Sequence, residues 1–288
     1  MAKVFITGAS GGFGQLTTQN LLASGHQVVG TMRGTTGKNK EAAAALAAAG
    51  AQVVEMDVTS DESVNQGVAR AIELLGGLDV VINNAGVGVL GMIEHFTVED
   101  FKRVFEVNVF GVQRVNRAAL PHLRQQGSGL IVFVSSLLGR MTIPFYGPYN
   151  ASKWALEGMA ENYRAELSGF GVQSCIVEPG GYPTSFMDNL IKPSENSRAD
   201  GYGDFMQAPE GMFKSFEGAL AANPEQRPEK VSEAIANLVN AAPAERPFRT
   251  VVDKMGMGDA ITPYNEALHQ LTHGIYSNFG IEGMLTVK

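Results

Sequence analysis

The chain is short of several things, and each shortage narrows what it can do. Its 288 residues include one cysteine, Cys175 in the apolar run VQSCIVE, so an internal disulfide is excluded and an inert core thiol is expected rather than a catalytic one. Charged residues make up only 18% of the chain, the formal net charge is -7, and no run of five or six like charges occurs. A nucleic acid or an anionic membrane surface would need a basic patch, so neither is expected as a partner. No apolar stretch reaches the ~18 residues of a membrane span. A strand-like run already begins at Ala2, so no signal peptide is expected and the assignment is cytoplasmic. His269 and His273 form an HxxxH pair, but Gln270 stands where HExxH has its glutamate and no third ligand is evident, so no metal is expected. The glycine turn GASGGFG at residues 8–14 does not match the dinucleotide fingerprint GxGxxG either.

What is present is an alternation of strand and helix patterns. Residues 2–7 (AKVFIT) form a β-rich run that meets GASGGFG and then a helical pattern from Gln15 to Ser24. Glycines at 8, 11, 12 and 14 permit positive φ and close approach of a ligand, and the helix N-terminus that follows offers free N–H groups to a phosphate. A tight βα connection with no ligand is the alternative reading. The second strand, HQVVGTMR, ends in Arg33. In a dinucleotide fold an acid at this place binds a free ribose hydroxyl, whereas Arg33 with Ser10 suits a 2′-phosphate, so NADP(H) is expected in preference, with NAD(H) as the alternative. A third strand, AQVVEM, ends in Asp57, which either accepts from an adenine amino group or caps a turn. Val64, Val68, Ile72 and Leu75 then form a core-facing helical stripe, and the strand LDVVIN runs into NNAG at 83–86.

Thr97, with Asp100 three residues on, opens a long helical region reaching about Gln126. Asn108 within it either interrupts the hydrogen-bond ladder for a purpose or faces solvent. Strand residues 130–134 lead to SSLLGRMTIPFYGPYNASK, in which Tyr149 and Lys153 are four apart and share one helix face. An ammonium beside a phenol favours phenolate, and a serine hydroxyl at the strand tip, Ser136, can stand opposite; the set suits carbonyl or alcohol chemistry. A sixth strand, GVQSCIVEPG, completes the alternation, which indicates an α/β, Rossmann-like, doubly wound parallel sheet in three αβα layers, with residues 1–288 as one domain. Residues 181–227, with an amphipathic helix from Pro209 to Leu220, are expected to form a substrate lid, and 256–288 a tail without a recognisable pattern.

Taken in order, TGASGGFG, Asp57, NNAG, Asn108, Ser136, YNASK and PGGYPT closely resemble the short-chain dehydrogenase/reductase family over residues 3–255, and SKWALEG with VEPGGYPT looks most like its hydroxysteroid and retinoid branch. The resemblance implies an NADP(H)-dependent oxidoreductase moving hydride between nicotinamide and an apolar ketone or secondary alcohol. Tyr149 would be the general acid/base, Ser136 would hold the substrate oxygen, Lys153 would lower the tyrosine pKa and bind the nicotinamide ribose, and Asn108 would position a proton-relay water. Gly8, Ser10, Gly12, Phe13, Gly14, Arg33, Asp57, Val58, Asn84, Ala85, Gly86, Pro179, Gly180, Tyr182 and Thr184 would hold the cofactor together with Tyr149 and Lys153. Ser136, Leu138, Phe145, Tyr149, Tyr182 and Phe186 would face the substrate. A homodimer or homotetramer is implied as well. The fold's reuse as a redox sensor leaves a non-catalytic NADP(H)-binding protein as the alternative.

Overall fold

The computed structural model describes residues 1–287. Its strands are β1 (Lys3–Thr7), β2 (Gln27–Met32), β3 (Gln52–Glu55), β4 (Val80–Asn83), β5 (Gly129–Val134), β6 (Val172–Pro179) and β7 (Arg249–Val252). All pair in parallel, in the order β3-β2-β1-β4-β5-β6-β7. In β1, Ile6 pairs with Gly30 of β2 on one side and Ile82 of β4 on the other. The order reverses direction at β1, and the carboxyl ends of β1 and β4 therefore flank a crevice of the kind in which ligands bind in such sheets.

Side chains alternate along each strand, so a parallel sheet covered on both faces needs apolar residues at almost every position. Val4, Ile6, Val80, Ile82, Val132 and Val134 enter one core, with Leu21 of α1 (Gly12–Ala23) and Val231, Ile235 and Leu238 of α9 (Glu229–Asn240). Their neighbours Phe5, Val29, Val81, Ile131 and Phe133 enter the other. There they meet Val64 and Val68 of α3 (Asp61–Leu75), Val115 and Leu123 of α5 (Gly111–Gln126), and Leu156 and Ala160 of α6 (Gly147–Leu167). The remaining helices are α2 (Lys40–Ala48), α4 (Val98–Phe105), α7 (Ser185–Asp188), α8 (Ala208–Ala221) and α10 (Met257–Asn278). Local signals set several ends. Ser60 accepts the Ser63 N–H at the start of α3, Gly76 ends that helix at φ 65°, and Thr97 and Asp100 complete a capping box on α4.

Two expectations are corrected. The helix read over 97–126 is divided into α4 and α5 by a π-helical segment at Glu106–Phe110, and Asn108 lies in that segment. The tail at 256–288, read as patternless, contains the 22-residue α10. Pro263 inside it and the glycines at 256, 258 and 274 hide its periodicity. The helix forms because Ile261 and Asn265 are buried against the body, with Asn265 Nδ2 donating to Glu178 Oε2 at 2.5 Å.

Among the glycines at 8, 11, 12 and 14, Gly14 has the closest neighbours. A Cβ there would overlap the Gly8 carbonyl and lie 2.7 Å from Asn84 Nδ2. Gly158, in the middle of α6, has nothing within 4 Å of a built Cβ. Gly14→Ala is therefore expected to cost about 1–3 kcal/mol and Gly158→Ala to gain about 0.5–1 kcal/mol, both read as shifts of the urea midpoint at constant slope.

Candidate active site

The glycine turn sits at the carboxyl end of β1. Gly8 and Gly12 have φ of 69° and 52°, values that favour glycine. Asn84, at the end of β4, fastens the turn: its Nδ2 donates to the carbonyls of Thr7 and Gly8 at 2.8 and 3.1 Å, and its own N–H donates to Thr7 Oγ1. Thr7, absent from the sequence expectations, thus joins Asn84 and Ala85, whose N–H it also accepts at 3.0 Å. Asn84 acts here on the scaffold of the turn. The first turn of α1 has no acidic residue and its N-cap, Gly11, makes no side-chain cap, which leaves those N–H groups to an anion. These features fit a dinucleotide pyrophosphate. Thr184 lies against Gly12 from the lid side, with its Cβ 3.6 Å from a Cβ built there.

Arg33 follows β2, and its guanidinium is 3.6 Å from the Asp57 carboxylate, both side chains being partly exposed. Ser10 is brought to the same end of the sheet by the Ala9 N–H donating to the Thr31 carbonyl. Asp57 Oδ1 accepts from the Thr59 N–H and hydroxyl at 2.9 and 2.8 Å. Partial burial would raise the Asp57 pKa, but those bonds and the Arg33 charge outweigh it and hold the carboxyl below its usual value. Val58 packs against Gly111, where a Cβ would lie 3.0 Å from it.

Ser136 ends the extension of β5, and its hydroxyl accepts the Leu138 N–H at 3.1 Å. It faces the phenol of Tyr149 and favours its ionised form. Lys153 Nζ lies 5.6 Å from the Tyr149 ring centroid and donates to the Val134 carbonyl at 2.8 Å. Gly86 is the contact between halves of the site: a Cβ on it would be 3.4 Å from Asn108 Oδ1 and 3.9 Å from Lys153 Nζ. Ser136, Tyr149, Lys153 and the Asn108–Gly86 wall are thereby brought together.

Two details differ from the sequence expectation. Asn108 is buried, with Oδ1 accepting the Val87 N–H at 2.8 Å while Nδ2 donates to the Val87 carbonyl and to Ser152 Oγ at 2.9 and 3.0 Å. Both amide hydrogens are engaged within the chain, and the π turn puts the main-chain ladder out of step at this point. Nor is the Tyr149 phenol depressed. Burial pushes it up to about 12 against the opposing effect of Ser136, while burial brings Lys153 down to about 8, opposed by Glu157.

Apolar side chains from several segments surround the phenol and the Ser136 turn. Phe186 lies 5.8 Å from the Tyr149 ring, centroid to centroid, and also crowds Gly88. Phe145 holds φ 72°, a left-handed value rare for an aromatic residue, and its ring lies 6.0 Å from Phe205. Leu138 is half-buried beside Ser136. Tyr182 requires a correction: its ring turns into the core, edge-on to Phe13 at 5.5 Å, and its hydroxyl donates to the Val252 carbonyl at 3.1 Å. It anchors the segment after β6 and presents no side chain to substrate. Pro179 and Gly180 are fixed there too, by the Gly180 N–H donating to Val252. Gln226, also missed from sequence, braces the lid's base through the Gly181 carbonyl, Asp253 and the Lys254 N–H. His269, one of the HxxxH pair, has its Nδ1 3.5 Å from Arg164. No helix among the described residues is long and apolar enough to cross a membrane.

Comparison with known proteins agrees with this geometry. The short chain dehydrogenase family model matches residues 2–195. The chain is 36% identical to the 3-ketodihydrosphingosine reductase of Bacteroides thetaiotaomicron over 250 residues, 86% of this chain and 87% of that protein. It is 33% identical to retinol dehydrogenase 8 of Homo sapiens, covering 83% and 78%. Among solved structures, a short-chain dehydrogenase from Streptomyces avermitilis superposes with a TM-score of 0.76 at 30% identity, covering 97% of each chain. A short chain dehydrogenase/reductase from Burkholderia phymatum in complex with NAD gives 0.74 at 26% identity, covering 93% of each. An actinorhodin polyketide ketoreductase with NADPH gives 0.74 at 27%, covering 89% of this chain and 97% of that one. A seven-stranded parallel sheet, a glycine turn at its switch point, a serine–tyrosine–lysine set at its carboxyl edge and these likenesses lead to one conclusion: the chain belongs to the short-chain dehydrogenase/reductase family of oxidoreductases.

Proposed function

We propose that the protein is an NADP(H)-dependent reductase or dehydrogenase of apolar ketones and secondary alcohols, with Tyr149 as its general acid/base. The observation that carries this reading is the convergence of Ser136, Tyr149 and Lys153 beneath Phe186. A bound nicotinamide would supply hydride to, or take it from, the substrate carbon. The chain's own residues handle the oxygen. Ser136 donates to it, and Tyr149, held protonated by burial, delivers the proton in reduction. Lys153 stabilises the phenolate left behind and, through its remaining hydrogens, a sugar hydroxyl. Phe186 keeps bulk water from the phenol.

Arg33 supports the cofactor choice, since its partly exposed guanidinium is shared only with Asp57 and is free to fork onto a 2′-phosphate. Glu55 accepts the N–H groups of Gly34 and Thr35, so those donors are engaged and the phosphate would fall to Arg33 with Ser10. Phe145, Phe186 and Phe205 give the entrance an aromatic lining, which suits a hydrocarbon substrate. The relatives named for 3-ketodihydrosphingosine and retinol support the same substrate class. The cytoplasmic setting and a homo-oligomeric state belong to this proposal also.

In NADPH oxidation assays against long-chain and aryl ketones, Tyr149→Phe is expected to keep NADPH affinity within about threefold while turnover falls by ~10²–10⁴-fold. Undiminished turnover in that variant would remove the tyrosine from the chemistry. Arg33→Ala is expected to weaken NADPH by ~10–100-fold and leave NADH little changed, the size of one charge-assisted hydrogen-bond pair. Titration of both cofactors by fluorescence checks it.

A further inference from the structure

Behind the site, on the side away from the lid, five charged side chains are packed together. Arg140 Nη2 donates to Glu157 Oε2 at 2.5 Å and lies 3.5 Å from Glu161, and its Nε reaches Glu178 Oε1 at 3.2 Å. Arg249 Nε lies 3.3 Å from both Glu157 Oε2 and Glu178 Oε1, and its Nη2 meets Glu161. Asn265 of α10 closes the far side by donating to Glu178. Glu178 and Glu157 are only 0% and 2% exposed. Burying ion pairs costs desolvation that an apolar cluster of the same volume avoids, so stability alone is a weak reason for this arrangement.

Two placements supply a better one. Glu157 follows Lys153 by four residues, as Lys153 follows Tyr149, so all three share one face of α6. Arg140 ends the turn that begins at Ser136. The Arg140–Glu157 bond therefore ties the turn carrying Ser136 to the helix carrying Tyr149 and Lys153. The join is tight at Gly139, where a Cβ would lie 2.9 Å from both Glu157 Cγ and Ser135 Oγ. Ser135 Oγ and Glu157 Oε1 are both buried; the hydroxyl favours the carboxylate form of Glu157 without completing a hydrogen bond of ordinary geometry. Three carboxylates face two guanidinium groups in the cluster, Arg164 stands near Arg249 and Glu161, and Lys153 is the cation next to Glu157.

We propose that Glu157 is a positioning residue for the reaction, fixing the Ser136 turn against α6 through Arg140 and supplying the counter-charge that keeps Lys153 an ammonium. This rests on the roles given above to Tyr149 and Lys153. Lys153 is faced by Tyr149 and Glu157 on its own helix and by the Val134 carbonyl of β5. Beyond Glu157 stand Arg140, Glu161, Glu178 of β6 and Arg249 of β7. Burial lowers Lys153 to about 8, and Glu157 opposes that fall. Glu157 itself is raised by burial and by Glu178, while Arg140 and Arg249 oppose that rise and favour its carboxylate form.

Glu157→Gln keeps the shape and removes the charge. Without that counter-charge Lys153 loses its proton at lower pH. The alkaline limbs of NADPH affinity, read by fluorescence, and of kcat/KM are then both expected to move down by about 0.5–1 pH unit, with ketone KM at pH 6.5 within about twofold of wild type. Glu157→Asp keeps the charge but withdraws it from Arg140; its alkaline limb should stay with wild type while kcat falls several-fold. That variant tests the positioning role by itself should the glutamine variant fail to fold. An alkaline limb unmoved in Glu157→Gln, or a Glu157→Asp enzyme with wild-type kcat, overturns the proposal and leaves the cluster a purely structural role. Tyr149→Phe run alongside separates this from the reading of function. Turnover that does not depend on Tyr149 would remove the acid/base role given to it, whereas the binding limb still reads the coupling of Glu157 to Lys153.

Discussion

An ammonium kept charged inside a protein is the constraint on which this site depends. Lys153 of α6 is buried against the end of β5, and burial, opposed by Glu157, draws its pKa down to about 8. The Val134 carbonyl satisfies one of its hydrogens, and Glu157 sits one helical turn further along. The same burial holds the Tyr149 phenol protonated, up to about 12. One environment thus holds the tyrosine protonated and the lysine a poised cation, the pairing that the proposed proton transfer to a carbonyl oxygen requires.

The sheet explains why those groups meet at one edge. Its strands are parallel, so every carboxyl end lies on the same side: the glycine turn after β1, Asn84 to Gly86 after β4, Ser136 after β5 and Gly180 after β6. Asn84 and Thr7 lock the first two of these together, and Asn108 reaches across from the π turn to fix Val87. The segment after β6 then meets this edge, with Thr184 at the glycine turn and Phe186 at the phenol.

Much of this was legible in the sequence, and the legible part is the local part. Tyr149 and Lys153 are four residues apart on one helix, and the glycine turn follows its strand directly, so their relation survives without knowledge of the fold. Thr97 with Asp100, and Pro209 leading to Leu220, likewise announced α4 and α8. Asn108 was legible only as a choice between two outcomes, and burial in the π turn decided it. What stayed hidden depends on long-range packing. Helix α10 carries Pro263 and several glycines, and it is held by Ile261 and by Asn265 reaching β6. The orientation of Tyr182 follows from room beside Phe13, which no local spacing records. Arg140, Glu157, Glu178 and Arg249 lie on four separate segments and look like ordinary surface charges until the chain is folded.

The most direct test of the account is the ionisation of one phenol. The chain has seven tyrosines, so the ultraviolet titration of wild type minus Tyr149→Phe isolates the group of interest. Recorded with and without NADP⁺, the difference signal should appear well below its ligand-free position of about 12 once the cofactor is bound, and Lys153→Met should abolish that movement. A Tyr149 signal that titrates at the same pH with and without NADP⁺, or that moves equally in the lysine variant, would contradict the coupling of phenol, ammonium and cofactor on which the proposed chemistry rests.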